Sequence, residues 1–128
     1  MKQHIGLVAL VVPDYESALA FYVNGLGFEL VQDIPQGTKR WVVVRPIGAE
    51  TGLLIARADG DRQLAAIGDQ TGGRVGFFLY TDDFARDRAA IIAAGGQFEE
   101  APRSEDYGRV AVFNDPFGNR WDLIEPTK

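Results

Sequence analysis

The chain has 128 residues, 46% hydrophobic and 24% charged, enough to close a sizeable core without a disulfide or metal staple. It has no cysteine, which excludes disulfides, thiolate zinc sites, iron–sulfur clusters and cysteine nucleophiles together. Eighteen acidic against thirteen basic residues leave a formal net charge of −5, and with no Lys/Arg cluster a nucleic-acid partner is not expected.

The first apolar run, Ile5 to Val12, falls far short of the roughly 20 residues a membrane helix needs. It predicts a strand buried on both faces and stopped by Pro13-Asp14. Met1-Lys2-Gln3-His4 precedes it without a small-residue cleavage site, so we expect a mature N-terminus on a soluble, cytoplasmic protein with no membrane partner. Asp14 is an N-cap, with Ser17 three positions on. Ala18, Leu19, Phe21, Tyr22 and Leu26 then recur at helical spacing until Gly25 and Gly27. Short strands follow at Phe28–Val31, Arg40–Arg45 and Gly52–Ala56, separated by Pro35-Gln36-Gly37 and Pro46-Ile47-Gly48.

The order then repeats. Val75–Tyr80 predicts a strand, and Thr81 or Asp82 caps a helix through Ala93 that Gly95-Gly96 ends. Strands follow at Gln97–Glu100, Arg109–Phe113 and Arg120–Glu125. Gly27-Phe28-Glu29 is echoed by Gln97-Phe98-Glu99, and Arg45-Pro46-Ile47-Gly48 by Asp115-Pro116-Phe117-Gly118, about seventy positions later in each case. We therefore expect one α+β domain over residues 1–128, built from two βαβββ modules. Module 1 covers about 4–57 and module 2 about 74–126. The linker, 58–73, has a helical turn near Gln63–Ile67.

Two stretches carry a resemblance. Val11-Val12-Pro13-Asp14-Tyr15-Glu16-Ser17-Ala18-Leu19-Ala20-Phe21-Tyr22 is followed by Gly25-Leu26-Gly27-Phe28. The chain closes on Val112-Phe113-Asn114-Asp115-Pro116-Phe117-Gly118-Asn119-Arg120-Trp121-Asp122-Leu123-Ile124-Glu125. Together they resemble the opening and the ending of the vicinal-oxygen-chelate superfamily. Glyoxalase I, extradiol dioxygenases, fosfomycin-resistance enzymes and bleomycin-resistance binding proteins belong to it. The resemblance implies tandem βαβββ modules forming curled mixed sheets around a cup. In metal-dependent members, His and Glu ligands stand on the first and last strand of each module. Carried over, those positions fall on Leu7, Gly76, Leu53 or Leu54, and Asp122. One carboxylate does not hold a divalent ion against water and cellular chelators, so we expect no metal and no cofactor.

His4, the only histidine, lies three residues before the ligand position, and we expect it at the rim of the strand. Asp122 is the best candidate for a catalytic or ligand-accepting role; a structural ion pair with Arg109, Arg45 or Arg120 is the other reading. Trp41, Arg45, Phe78, Tyr80, Arg109 and Asp122 are the expected ligand-binding residues of a largely apolar cup, although Trp41 and Phe78 equally suit core filling. Tyr107-Gly108-Arg109 is read as a lid or a turn. No phosphate-cradling loop and no serine nucleophile motif is present.

We therefore expect a glyoxalase/bleomycin-resistance-like homodimer that has lost its metal site and binds a small organic molecule. The alternative is a lyase, isomerase or dioxygenase using a displaced or dimer-interface site, with His4 supplied by a partner chain. Whether the chain is an enzyme stays open at this point.

Overall fold

Three of the six residues of β1 (Leu7–Val12) are valine, whose branched Cβ suits a pleated strand. In the computed structural model, which describes residues Met1–Lys128, this strand opens the first of two compact units, Met1–Ala66 and Ile67–Lys128. Asp14 caps the following helix as expected, its Oδ1 accepting from the Ser17 N–H at 2.7 Å. Helix α1 (Tyr15–Leu19) runs on as a π-helical stretch, Ala20–Gly25, and the chain leaves it through Gly27 at φ +82°.

Strands β2 (Glu29–Gln36), β3 (Lys39–Arg45) and β4 (Gly52–Arg57) complete a sheet of order β1-β4-β3-β2. Strand β4 runs parallel to β1 and antiparallel to β3. Leu10, Val12, Val42, Val44 and Ile55 alternate onto one face and are buried, as are Ala18, Phe21 and Tyr22 of the helix. Ala9, Val11, Trp41, Val43 and Leu54 take the second face. Strand β2 is longer than the expected Phe28–Val31. It is an edge strand, where Pro35 and a bulge between Leu30 and Gln32 are tolerated, and the turn shrinks to Gly37-Thr38. Helix α2 (Asp61–Ala66) stands where a helical turn was expected, shifted slightly toward the N-terminus.

Unit 2 repeats the connectivity. Strand β5 (Phe77–Tyr80) leads to helix α3 (Phe84–Ala93), then β6 (Gln97–Phe98), β7 (Arg103–Glu105), β8 (Gly108–Asn114) and β9 (Arg120–Pro126). The sheet order β5-β9-β8-β6, with β5 and β9 parallel, matches that of unit 1. Both sheets are curled and unclosed. The expected fold class and module repeat are thus present.

The cap of α3 is Asp83, not Thr81 or Asp82. Asp83 accepts from the Arg86 N–H at 3.1 Å, while Thr81 Oγ1 accepts from the Asp83 N–H. Starting there buries Phe84 in the first turn. Strand β7 was not expected. It forms a hairpin with β8 through Asp106-Tyr107, so that segment is a turn. On the helix side, Trp121 stacks on Phe77 at 4.9 Å and on Phe113 at 5.9 Å between centroids. Complete burial of a side chain such as Phe113 contributes about 1.5–3 kcal/mol.

Candidate functional site

The aromatic stack fixes the phase of β9. With Trp121 and Leu123 turned toward the α3 side, alternation sends Arg120, Asp122 and Ile124 to the second face of the sheet. In register, Asp122 sits between Phe78 of β5 and Val112 of β8, and Tyr80 lies beside Ile124. Phe78 and Tyr80 are 56% and 66% exposed, unusual for large rings on a strand flanked by apolar residues. Tyr80 also borders an open depression of about 570 Å³ that reaches Pro126 and Lys128.

Asp122 is half-buried, and its Oδ1 is covered yet accepts no hydrogen bond. Burial pushes its carboxyl above the usual carboxylate range. Arg103 pulls it back, Glu100 pushes the same way as burial, and Arg120 opposes. Neither arginine donates to it. Arg120 grips the Glu99 carboxylate through two nitrogens at 2.8 Å each and gives the third to the Gly73 carbonyl. Arg103 bonds Glu100 at 3.0 Å and Glu105 at 2.9 Å. Hydrogen bonds from Arg120 hold Glu99 below its ordinary value, and the Val112 N–H does so for Glu100. The surrounding charges are matched among themselves, and the Asp122 carboxyl is left over. A covered polar atom without a partner costs about 1–3 kcal/mol.

The structure brings Phe78, Tyr80 and Asp122 together on one face. Arg109 is not with them. It projects toward the helix side, its guanidinium 4.7 Å from the centre of the Phe84 ring. Trp41 and Arg45 stand on the second face of the unit 1 sheet, and both are engaged. Trp41 Nε1 donates to Gln32 at 2.9 Å and Arg45 Nε pairs with Glu29 at 2.6 Å. His4 lies in the exposed segment before β1. Glu100 and Arg103, whose charges act on Asp122, and Glu99, which holds Arg120, were missed by sequence reasoning. The acidic pair Glu99-Glu100 three residues before Arg103 was the available signal. No group of three or more His, Asp or Glu side chains is placed to hold a metal ion.

Comparison with known proteins agrees with this architecture. The sequence model of the Glyoxalase/Bleomycin resistance protein/Dioxygenase superfamily matches residues 4–123. The chain belongs to that superfamily. A protein of Shewanella frigidimarina is 51% identical over 98% of this chain and 95% of its own. Among solved structures, TnmS3, an antibiotic binding protein from Streptomyces sp. CB03234, superposes with a TM-score of 0.79. It is 33% identical, covering 98% of each chain. A glyoxalase/bleomycin resistance protein from the same Streptomyces is 32% identical with a TM-score of 0.74, over 95% of this chain and all of its own. Superfamily membership establishes the fold and leaves the chemistry to the site. Within this superfamily chain, register decides which unit 1 residue corresponds to Asp122. Leu54 lies between Ala9 and Val43 as Asp122 lies between Phe78 and Val112, so the residue is Leu54 and not Leu53.

Proposed function

We propose that the chain binds a small organic molecule on the second face of the unit 2 sheet. Asp122 is the polar acceptor, and the Phe78 and Tyr80 rings are the apolar support. The observation that carries this reading is the covered Oδ1 of Asp122, without a hydrogen-bond donor, beside two exposed rings. An acceptor within an apolar, aromatic surface is the usual composition of a small-molecule site. The likeness to TnmS3, which binds an antibiotic, supports the same class of function.

The donor set does not fit a divalent cation. Leu7, Gly76 and Leu54 offer no ligand atom from a side chain, and a single carboxylate leaves most of a coordination shell to water. We therefore read the chain as a binding protein and derive no metal-dependent step. Protein purified without chelator is expected to carry no near-stoichiometric nickel, zinc, iron or manganese; finding one would restore the lyase, isomerase or dioxygenase reading. The exposed Leu30 and Ile34 of edge strand β2 support a homodimer, which sedimentation equilibrium tests.

Binding itself is tested by thermal-shift screening against aromatic and peptidic metabolites. A hit should raise the melting temperature of the wild type and lose its effect in the double variant Phe78→Ala, Tyr80→Ala. Silence across a broad library, or hits indifferent to both rings, would sink the proposal.

A further inference from the structure

The charges around Asp122 select among ligands. Its neighbouring guanidinium groups, Arg103 and Arg120, are held by the three carboxylates of Glu99, Glu100 and Glu105. Both guanidinium groups are therefore already engaged, and the charge of the Asp122 carboxylate has no ion-pair partner of its own. An anionic ligand would have to break a two-point guanidinium–carboxylate pair at Arg120. A neutral alcohol or phenol would donate to the carboxylate and leave its charge unpaired. A cation donates and pairs that charge as well, and the flanking π-faces add attraction for it.

We infer that the ligand of this face is a cationic aromatic. Its ammonium or amidinium group donates to the Asp122 carboxylate, and its ring body rests on Phe78 and Tyr80. Oδ1 itself is covered, so the ligand's donor meets the carboxylate of this half-buried residue at its other oxygen, Oδ2. The inference rests on reading this face as the ligand face, and it adds the sign of the ligand's charge.

Three probes of one shape test it: 1-naphthylmethylamine, 1-naphthalenemethanol and 1-naphthoate, titrated by NMR into the full chain. The amine is expected to bind about tenfold tighter than the alcohol, the scale of a charge-assisted hydrogen bond, with naphthoate weakest. In Asp122→Asn that preference should collapse while the alcohol's affinity changes less than about twofold. In the wild type, raising the salt should weaken the amine and spare the alcohol, a readout that needs no variant. Naphthoate binding as tightly as the amine, or an amine preference that survives both Asp122→Asn and salt, overturns the inference. Alcohol binding equal to amine binding overturns the charge selectivity alone. If none of the probes shifts the Phe78 and Tyr80 resonances, the ligand-face reading itself falls.

Discussion

Leu54 and Asp122 occupy the same place in two sheets of one strand order, and their surroundings differ accordingly. In unit 1 the neighbours in register are Ala9 and Val43, and the polar groups of that face, Trp41 Nε1 and Arg45, are already paired with Gln32 and Glu29. In unit 2 the neighbours are Phe78 and Val112, and Oδ1 of the carboxyl has no hydrogen-bond donor while the charges near it are paired. The same backbone thus carries one face that is chemically closed and another that holds an unmet demand. Functional capacity in a repeated fold is read from what its side chains leave unsatisfied, and topology alone does not reveal it.

The largest effects should come from the helix-facing cores, which differ in kind. Unit 2 is wedged by the Phe77–Trp121–Phe113 stack, whereas unit 1 fills the equivalent side of its sheet with Val42, Val44 and Ile55. Phe113→Ala should cost about 3–5 kcal/mol in denaturant unfolding, through lost transfer energy and the cavity left behind. Val44→Ala removes less volume and should cost clearly less. Equal losses would show that the two cores are not energetically distinct.

A direct exchange across the comparison ranks next. Leu54→Asp would place a carboxylate where no guanidinium is free, and should destabilise by about 2–3 kcal/mol. A neutral result in urea titration would mean that the unit 1 face accepts charge as readily as unit 2. That would dissolve the contrast on which Asp122 was singled out.

The sequence carried much of this fold for identifiable reasons. Asp14 with Ser17, the valine-rich β1 and the glycines at 95 and 96 are local signals, and the structure uses each locally. Strand β7 was illegible because Arg103-Ser104-Glu105 has no apolar member; it is a strand only through its ladder to β8. The length of β2 was hidden by Gln32, Asp33 and Pro35, which suggest a turn until the strand is known to be an edge. At the site, period-2 alternation placed Asp122 opposite Trp121, but grouping Arg109 with it required a cross-strand register that no single strand encodes. The observed pairing of Val112 with Asp122 puts Arg109, an odd number of residues away, on the other face.

The reverse exchange, Asp122→Leu, makes unit 2 resemble unit 1. It removes a partly desolvated carboxyl and should raise stability by about 1 kcal/mol while lowering amine affinity by about tenfold. A gain in stability coupled to loss of ligand is the signature of a group kept for binding. Destabilisation instead would mark Asp122 as a structural anchor.

The smallest effect is a pH dependence whose sign separates Asp122 from its neighbours. Burial raises the folded Asp122 above its unfolded value, so its contribution is fully present below the unfolded value and is lost as the pH rises through the folded one. Glu99 and Glu100 are lowered by their donors; their support is present above the ordinary carboxylate range and is lost as the pH falls through their folded values. Unit 1 has a lowered group of the same kind in Asp33, held down by Arg40. Wild type should therefore lose stability on acidification through Glu99, Glu100, Asp33 and the helix cap Asp14, which the Ser17 N–H holds down, partly offset by Asp122. The variant Asp122→Asn lacks that offset. It should be the more stable protein at pH 7, by less than about 1 kcal/mol, and its advantage should shrink to nothing near about pH 3. An advantage that grew toward acid would reverse the sign assigned to Asp122, leaving it a carboxylate stabilised by Arg103 and Arg120 and closing the contrast between the two faces.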